Sequence, residues 1–568
     1  VSTELEKTYE PGRVEDKVNE FWLSHEYFHA DASTKLSTGS SGKCRSYTIV
    51  IPPPNVTAPL HLGHALNNTL QDILIRFRRM QKRNTLWLPG TDHAGIATQT
   101  VVDKRLRSEG QPSLVDYKQM EDEGKNGREQ FVAHVQAWKD EYEATIINQL
   151  KAMGCSCDWG RTRFTMDEVC AKAVRAAFFR LFKDGLIYRG KRLVNWDPAT
   201  QTVLADDEVE HETVKGHFWY MQYPLVEPVE IEGKKVEHVT VATTRPETML
   251  GDTAVAMNPN DPRAEYLLGK MVRLPIVGRI IPIIADEHVV LPDDESDDEK
   301  AKFSTGFLKV TPAHDPDDWE IGQRHNLPVI NVMAPDGSVS DRYDWTDWEE
   351  IKNPDVENLI GMDRFEAREA VVEWFRTEKL LEDVREYAHE VGHSYRSHVP
   401  IEPYLSDQWY IAVKKPIPSL VIRDSCLEED FIRGTDVPVN SLAGLALKPL
   451  LDGRLRFIPE RYARTYQSWL ENLRDWPISR QLWWGHRIPI WYCQGCGQVL
   501  SGIDDPSNCE KCGSDNLVRD EDVLDTWFSS ALWPFSTMGW PDDTPDLKTF
   551  YPGDVLCTAR EIITLWVS

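Results

Sequence analysis

The chain has 568 residues, with 64 Lys+Arg against 91 Asp+Glu, a formal net charge of −27, 41% hydrophobic residues and 27% charged ones. That is the composition of a soluble globular protein, and at roughly 100–200 residues per domain it predicts about three or four domains. It excludes a membrane-spanning helix, since no run approaches the ~20 consecutive apolar residues a span needs. The start VSTELEKTYEPG lacks the apolar core of a signal peptide, so a cytoplasmic protein without membrane attachment is expected. The acidity also argues against nucleic acid bound over the whole surface, because phosphate contacts draw on Lys and Arg; a local basic face remains compatible with it.

Residues 1–45 carry a helical pattern, VEDKVNEFWLSHEYF, followed by the polar linker DASTKLSTGSSGK. RSYTIVI then reads as a strand and stops at three prolines, which cannot continue a central strand. After the loop PPPNVTAPLHLGH the pattern turns helical through ALNNTLQDILIRFRRMQK, and NTLWLPG reads as a second strand. Strand, glycine-containing loop, helix and strand in that order open a parallel α/β nucleotide-binding sheet. From about residue 200 to 390 this alternation is interrupted by strand-rich runs such as EHVTVATTRPETML and KMVRLPIVGRIIPII. The run LPDDESDDEK within it reads as a solvated loop.

Two constellations carry chemistry. His61, Gly63 and His64 lie after a strand and before a helix. Imidazoles at a helix N-terminus can donate to phosphate oxygens where amides and the helix dipole already favour negative charge, and a glycine leaves room for a nucleotide against the backbone. Ordinary histidines or a metal pair are the alternatives for this spacing. The second is Cys493, Cys496, Cys509 and Cys512, two Cys-x2-Cys pairs closed by glycine as CQGCG and CEKCG and separated by twelve residues. This is the spacing of a zinc ribbon, and four thiolates leave no open coordination position, so the metal is structural. Cys155 and Cys157 have the wrong spacing for a second knuckle, and one zinc is expected.

PPPNVTAPLHLGH followed by LPGTDHAGIATQ resembles the signature region of the class I aminoacyl-tRNA synthetases, in particular the valyl branch. The resemblance continues through NWDPATQTVLADDEVE, TTRPETMLGDTAVAMNP, GFLKVTPAHDPDDWEIG, PISRQLWWGHRIPIWYC and EDVLDTWFSSALWPF. One departure is Ala58-Pro59, where the valyl pattern usually has Gly and a variable residue. The resemblance implies an α/β fold in which a Rossmann-like parallel sheet is split by an inserted β-rich editing domain, with a small zinc ribbon. The expected layout is a helical extension and linker at 1–45, catalytic halves at 46–199 and 391–568, an editing domain at 200–390 and the ribbon at 490–515.

The same resemblance implies a ligase that joins L-valine to the α-phosphate of ATP, with Mg2+, and transfers it to tRNA(Val) as a monomer. His61, Gly63 and His64 would act at the phosphates, and Asp92 would hold the substrate ammonium; a plain turn residue is the alternative for Asp92. Pro53, Asn55, Trp484, Val523 and Trp527 would bound the side chain, with Trp483 and Trp484 not separable by position alone. Rigid walls exclude isoleucine because overpacking costs roughly 1–3 kcal/mol. Threonine would still enter, since an apolar pocket rejects an added hydroxyl only weakly, a limit for which valyl enzymes are the standard illustration.

A hydrolytic site is therefore implied in the insertion, where Arg245, Thr248, Phe303, Lys309, Asp315 and Asp318 match the family's editing positions. Asp318 would take the ammonium and hydroxyl of a misattached threonine, and Lys309 and Arg245 the terminal nucleotide's phosphate. A surface ion pair is the alternative for Arg245 and Glu247. The family's lysine-rich KMSKS loop does not occur in these 568 residues. The last run, DVLCTAREIITLWVS, resembles the segment shortly before it, and an apolar end of this kind is normally covered by further chain. A piece of a longer protein is thus expected, activating valine poorly by itself; the other reading is a silent relative that binds RNA or a protein partner through the same fold.

Overall fold

The structure, a computed structural model, describes residues 8–33, 46–293, 295–296, 299–395, 397–418, 420 and 430–568. Most of the linker expected at 31–43 lies outside the described residues, as do Cys44 and Cys426. The chain forms two compact units, residues 1–189 with 409–568, and residues 190–408.

The first unit begins with helix α1 (Pro11–Ser24), strand β1 (Ser46–Val50), helix α2 (Leu62–Met80) and strand β2 (Asn84–Leu88). β1 and β2 pair in parallel with Ile49 opposite Trp87, the strand-helix-strand unit expected from the pattern. Both strands are buried along four of their five residues, which is why they read as near-continuous apolar runs rather than alternating ones. Trp87 anchors α2 by donating from Nε1 to Gln71 Oε1 at 3.0 Å in the interior. The other face of α2 exposes Leu62, Leu66, Leu70, Ile73, Phe77 and Met80. Helices α3 (Gly95–Ser108), α4 (Gly127–Ala152) and α5 (Glu168–Lys183) come next.

The second unit is built on strands β3 (Val209–Ile231), β4 (Lys234–Thr243), β5 (Ala254–Met257), β6 (Met271–Arg273), β7 (Ile280–Ala285) and β8 (Phe307–Val310), helices α6 (Pro316–His325) and α7 (Arg364–Thr377), and strand β9 (Leu381–Ser394). They form a seven-stranded sheet in the order β8-β5-β7-β6-β3-β9, with β4 also on β3. The sheet is mixed: β7 runs parallel to β5, and the other pairings are antiparallel. On α7, Ala367, Val371 and Phe375 recur at helical spacing and pack with Met221, Tyr223 and Val241 of the sheet.

The chain then returns to the first unit with strands β10 (Ile490–Cys493), β11 (Val499–Ser501) and β12 (Leu517–Arg519), a small antiparallel sheet in the order β11-β10-β12, and helix α8 (Thr526–Ser536). Trp533 of α8 donates from Nε1 to the carbonyl of Ile51 at 3.0 Å, and its ring fills the space a side chain at Gly90 would need. The last apolar residues are covered: Ile563 and Trp566 are buried, and Trp566 Nε1 donates to the Ser530 carbonyl at 2.8 Å. No helix among the described residues is long and apolar enough to cross a membrane.

Phe375 is fully buried in the core of the second unit. Phe375→Ala is expected to cost about 3–5 kcal/mol, seen as a lower urea midpoint.

Candidate active sites

The first constellation lies at the N-terminus of α2. His61 is the N-cap: its Nδ1 accepts the Gly63 amide at 3.0 Å, while His64 Nδ1 accepts the His61 amide at 3.3 Å. The rings stand 4.0 Å apart between centroids. Because each Nδ1 is an acceptor, each neutral ring carries its proton on Nε2 and offers an N–H donor there. Burial, then the charge of His61, holds His64 below its ordinary value. The amides of His61 and Gly63 are thus spent inside the cap, and an anion would meet the imidazole Nε2–H groups instead. Gly63 has a local reason as well: a Cβ there would lie 2.8 Å from His61 Cε1.

Asp92 lies beyond β2, where it bridges to Asn55: the Asp92 amide donates to the Pro54 carbonyl at 2.9 Å, and the Val56 amide to the Asp92 carbonyl at 3.1 Å. Its carboxylate is buried, taking the Ser530 hydroxyl on Oδ2 and the Ala94 amide on Oδ1 at 2.8 Å. Burial pushes its pKa up to about 6 against those two hydrogen bonds. The N-terminus of α3 is fixed beside it, the Gly95 amide donating to Thr526 Oγ1 at 3.0 Å. Trp484 is buried and donates from Nε1 to the His93 carbonyl at 2.9 Å; its amide and that of Trp483 both donate to Gln99 Oε1, at 3.2 and 2.9 Å. Val523 is fully buried with Ile96 and Leu482, and Trp527 packs half-buried in the cluster of Val50 and Leu88 at the strand ends. Asn55, Asp92, Trp484 and Val523 are therefore gathered around the start of α3. Pro53 stands in the loop leading to Asn55. Trp483 is partly buried, its ring edge-on to the fully buried Phe131.

In the second unit Lys309, on β8, is buried and donates to Thr248 Oγ1 at 2.9 Å, Thr311 Oγ1 at 2.5 Å and Asp252 Oδ1 at 3.2 Å. Asp318 is held beside it by the Thr311 amide at 2.8 Å, and Asp315 caps α6 by accepting the amides of Asp317 and Asp318 at 2.8 and 3.1 Å. Burial, then the nearby Asp315, pushes Asp318 up to about 8, with Lys309 opposing. Arg245 donates to the His314 carbonyl at 2.8 Å, pairs with Glu402, and lies 3.3 Å from Glu247. Glu247 is fully buried and accepts from Arg368 Nε and Nη2, at 2.7 and 2.8 Å, which is no surface pair. The charges of Arg245 and Lys309 are thus balanced within the unit. Phe303 stands apart, in an aromatic cluster with Phe218 and Tyr387.

The four ribbon cysteines converge, their sulfurs all within 4.8 Å of one another. Cys493 and Cys512 sulfurs are 3.4 Å apart and those of Cys496 and Cys509 3.7 Å, close to the edge of a tetrahedron with ~2.3 Å metal–sulfur bonds. The two knuckles are built alike. The Gly497 amide donates to the Cys493 carbonyl at 2.9 Å and the Gly513 amide to the Cys509 carbonyl at 2.8 Å, both glycines at positive φ (69° and 74°). Cys155 and Cys157 are buried in the same core as Ile49 and Trp87; burial raises the Cys155 thiol to about 12 and holds the Cys157 thiol well above its ordinary value.

Sequence reasoning missed several partners. Ser530 and Asp252 lie inside the motifs EDVLDTWFSSALWPF and TTRPETMLGDTAVAMNP, where their positions carried a signal but no role. Glu402, Arg368 and Tyr223 carried none, because nothing local marks a residue whose partner is far along the chain.

A parallel strand-helix-strand start with paired histidines at the helix cap, a buried acid beyond the second strand and a large inserted mixed sheet define the class. The chain belongs to the family of tRNA synthetases class I (I, L, M and V), whose model matches residues 17–568. Among its relatives are the valine–tRNA ligase of Geobacter sulfurreducens, 48% identical over 565 residues, covering 100% of this chain and 56% of that protein, and that of Thermotoga maritima, 44% identical over 569 residues, covering 100% and 57%. The chain spans about half the length of the curated relatives it matches.

The environment of Asp318 gives a pH dependence. Its folded-state pKa, about 8, lies above its ordinary value of 3.8, so the stability it contributes is complete below that value and is lost as pH rises through about 8. Asp318→Asn keeps the acceptor for the Thr311 amide and removes the titration. The variant is expected to gain on the wild type in urea as pH is raised from 4 to 9, by up to several kcal/mol in order of magnitude. Parallel pH profiles for the two proteins would refute this.

Proposed function

We propose that this chain is the catalytic and hydrolytic part of a valine–tRNA ligase. It activates L-valine with ATP and Mg2+ to valyl-adenylate, transfers it to tRNA(Val), and hydrolyses threonyl-tRNA(Val) in the unit 190–408, acting in the cytoplasm as a monomer. The observation that carries the reading is the match of the whole chain, at 44–48% identity, to relatives of that name.

The geometry makes chemical sense of it. Adenylate formation needs positioning and charge stabilisation more than covalent help. The Nε2–H donors of His61 and His64 suit the phosphates of ATP, at a helix start with no acidic residue in its first turn. Asp92 is a carboxylate whose charge burial disfavours, so it gains most from an ammonium partner, and the Ser530 hydroxyl and Ala94 amide keep it aimed. Pro53, Asn55, Trp484, Val523 and Trp527 bound the valine side chain. Val523 is fully buried, and a wall with no free space behind it limits the size of the side chain it meets. In the second unit Thr248, Asp315 and Asp318 receive the misattached amino acid, with Arg245 and Lys309 held beside them by buried carboxylates, and an incoming ammonium draws Asp318 into its ionised form.

A non-hydrolysable valyl-adenylate analogue should raise the melting temperature of the 568-residue chain. The effect expected is that of about 2.7 kcal/mol at a hundredfold excess over its Kd, with the isoleucyl analogue doing far less. Asp92→Asn should abolish the shift. Equal stabilisation by both analogues, or by neither, would sink the reading.

Cys493, Cys496, Cys509 and Cys512 fit a zinc ion, which as a closed four-sulfur centre supplies folding energy to the ribbon and no catalysis. One zinc per chain is expected by elemental analysis. It should be lost in Cys496→Ser and kept in Cys157→Ser; retention in the former would contradict the assignment.

A further inference from the structure

Outside the sites described above, the first unit gathers three arginines whose side chains donate to main-chain carbonyls. Arg128, in the first turn of α4, donates from Nη1 to the Glu521 carbonyl at 3.0 Å. Arg487 donates from Nη2 to the Asp520 carbonyl at 2.9 Å, and Arg519 from Nη2 to the Arg487 carbonyl at 3.0 Å. Among the described residues, no carboxylate oxygen comes within ion-pairing distance of these three guanidinium groups. The acids of the same segment face elsewhere. Asp520 accepts from Trp409 Nε1 at 3.0 Å, the Tyr492 hydroxyl at 2.6 Å and the Asp522 amide at 3.0 Å, and Asp522 accepts from Gln481 Nε2 at 2.8 Å. Arg128 Nη2 and Arg487 Nε are shielded from solvent and have no hydrogen-bond partner, a costly state for a charged donor.

The placement of these charges is unfavourable without a further anion. Burial, then the charge of Arg487, pushes both Arg128 and Arg519 down to about 10. A cation in the first turn of a helix also opposes the helix dipole, and the N-cap Asn126 makes no side-chain hydrogen bond there. Arg128 and Arg487 line one cleft of about 420 Å³ together with Trp483, Gly485 and the exposed Glu121 and Glu129. Glu121 spends its Oε2 on the Arg128 amide at 2.9 Å. The cleft adjoins the pocket around Asp92. Trp484 belongs to that pocket and Trp483 to the cleft, and at Gly485, with φ 149°, a Cβ would lie 3.0 Å from Val523 Cγ2. Guanidinium forks match phosphate oxygens, and an indole beside them offers a face on which a base can stack.

We propose that Arg128, Arg487 and Trp483 form a single-stranded RNA site, in which the two guanidinium groups hold a backbone phosphate and Trp483 stacks a neighbouring base. This rests on the reading of tRNA as a substrate and deepens it, because a strand seated there runs beside the pocket that holds the activated amino acid. Arg519 acts from behind, fixing the Arg487 carbonyl and adding its charge. A bound phosphate supplies the acceptors that Arg128 and Arg487 lack and relieves the repulsion among the three arginines.

The test is fluorescence anisotropy of a labelled single-stranded RNA hexamer, titrated with the 568-residue chain between about 50 and about 200 mM KCl. Arg128→Gln and Arg487→Gln should each weaken binding by about tenfold, the worth of one charge-assisted hydrogen bond. Each should also flatten the dependence of log Kd on log salt by about 0.7, the share of one phosphate on a single strand. Trp483→Leu should weaken binding by about tenfold and leave that slope unchanged. A merely structural role for the arginines would not move the slope. The valyl-adenylate analogue should stabilise both glutamine variants as it does the wild type, which reports that they are folded. Where Arg487→Gln fails to fold, Arg128→Gln on its helix carries the test. Folded variants that keep the affinity and slope of the wild type overturn the site. A wild type that binds no RNA, yet is stabilised by the analogue, overturns this inference alone; loss of both responses overturns the valine–tRNA ligase reading with it.

Discussion

The hydrogen bond from Ser530 to Asp92 joins residues 438 positions apart in the chain, and the first unit depends on ties of this kind. Its two segments, 1–189 and 409–568, are interrupted by a second folded unit, and neither segment holds a complete site. Ile51 with Trp533, Gly95 with Thr526 and His93 with Trp484 repeat the pattern, each a polar contact from the first segment to the second. They share a physical cause. The ends of β1 and β2 and the start of α3 leave backbone groups inside the protein, and buried groups of that sort are costly unless paired. Side chains from α8 and from the tryptophan pair supply the partners. Completing those hydrogen bonds and assembling the pocket around Asp92 are one event.

The sequence made some of this plain. Strand-loop-helix-strand was legible because β1, α2 and β2 are set by local pattern, and the cysteine knuckles because their geometry needs only four residues and a glycine at positive φ. Asp92 was legible only through its motif. What could not be read were the groups that fix it. Ser530 sits in an apolar helix where a serine ordinarily donates to its own backbone; the Thr526 carbonyl is within 3.1 Å, but the hydroxyl's single proton goes to the nearer Asp92 carboxylate. That partner lies in a segment that no local window contains.

The same limit explains the charges of the second unit. Arg245 and Lys309 suggest phosphate ligands when read along the chain, since isolated cations invite anions. In the fold each is met by buried carboxylates: Glu402 and Glu247 for Arg245, Asp252 for Lys309. Glu402 enters from the far end of the unit and Glu247 is shared with Arg368 of α7. Stripping one partner from such a set leaves a buried charge uncompensated, so these cations are held more firmly by the protein than a mobile phosphate ligand would hold them.

The two sites then differ in how they treat a buried carboxylate. Asp92 is relieved by a hydroxyl and an amide and lies only modestly above its ordinary pKa; Asp318 has one amide, a repelling neighbour in Asp315, and a pKa near 8. The first is already charged at neutral pH, before any cation arrives. The second stays largely protonated there, and its charge appears when a cation comes close enough to favour it. Buried carboxylates thus hold the arginine and lysine of the second unit's two motifs inward.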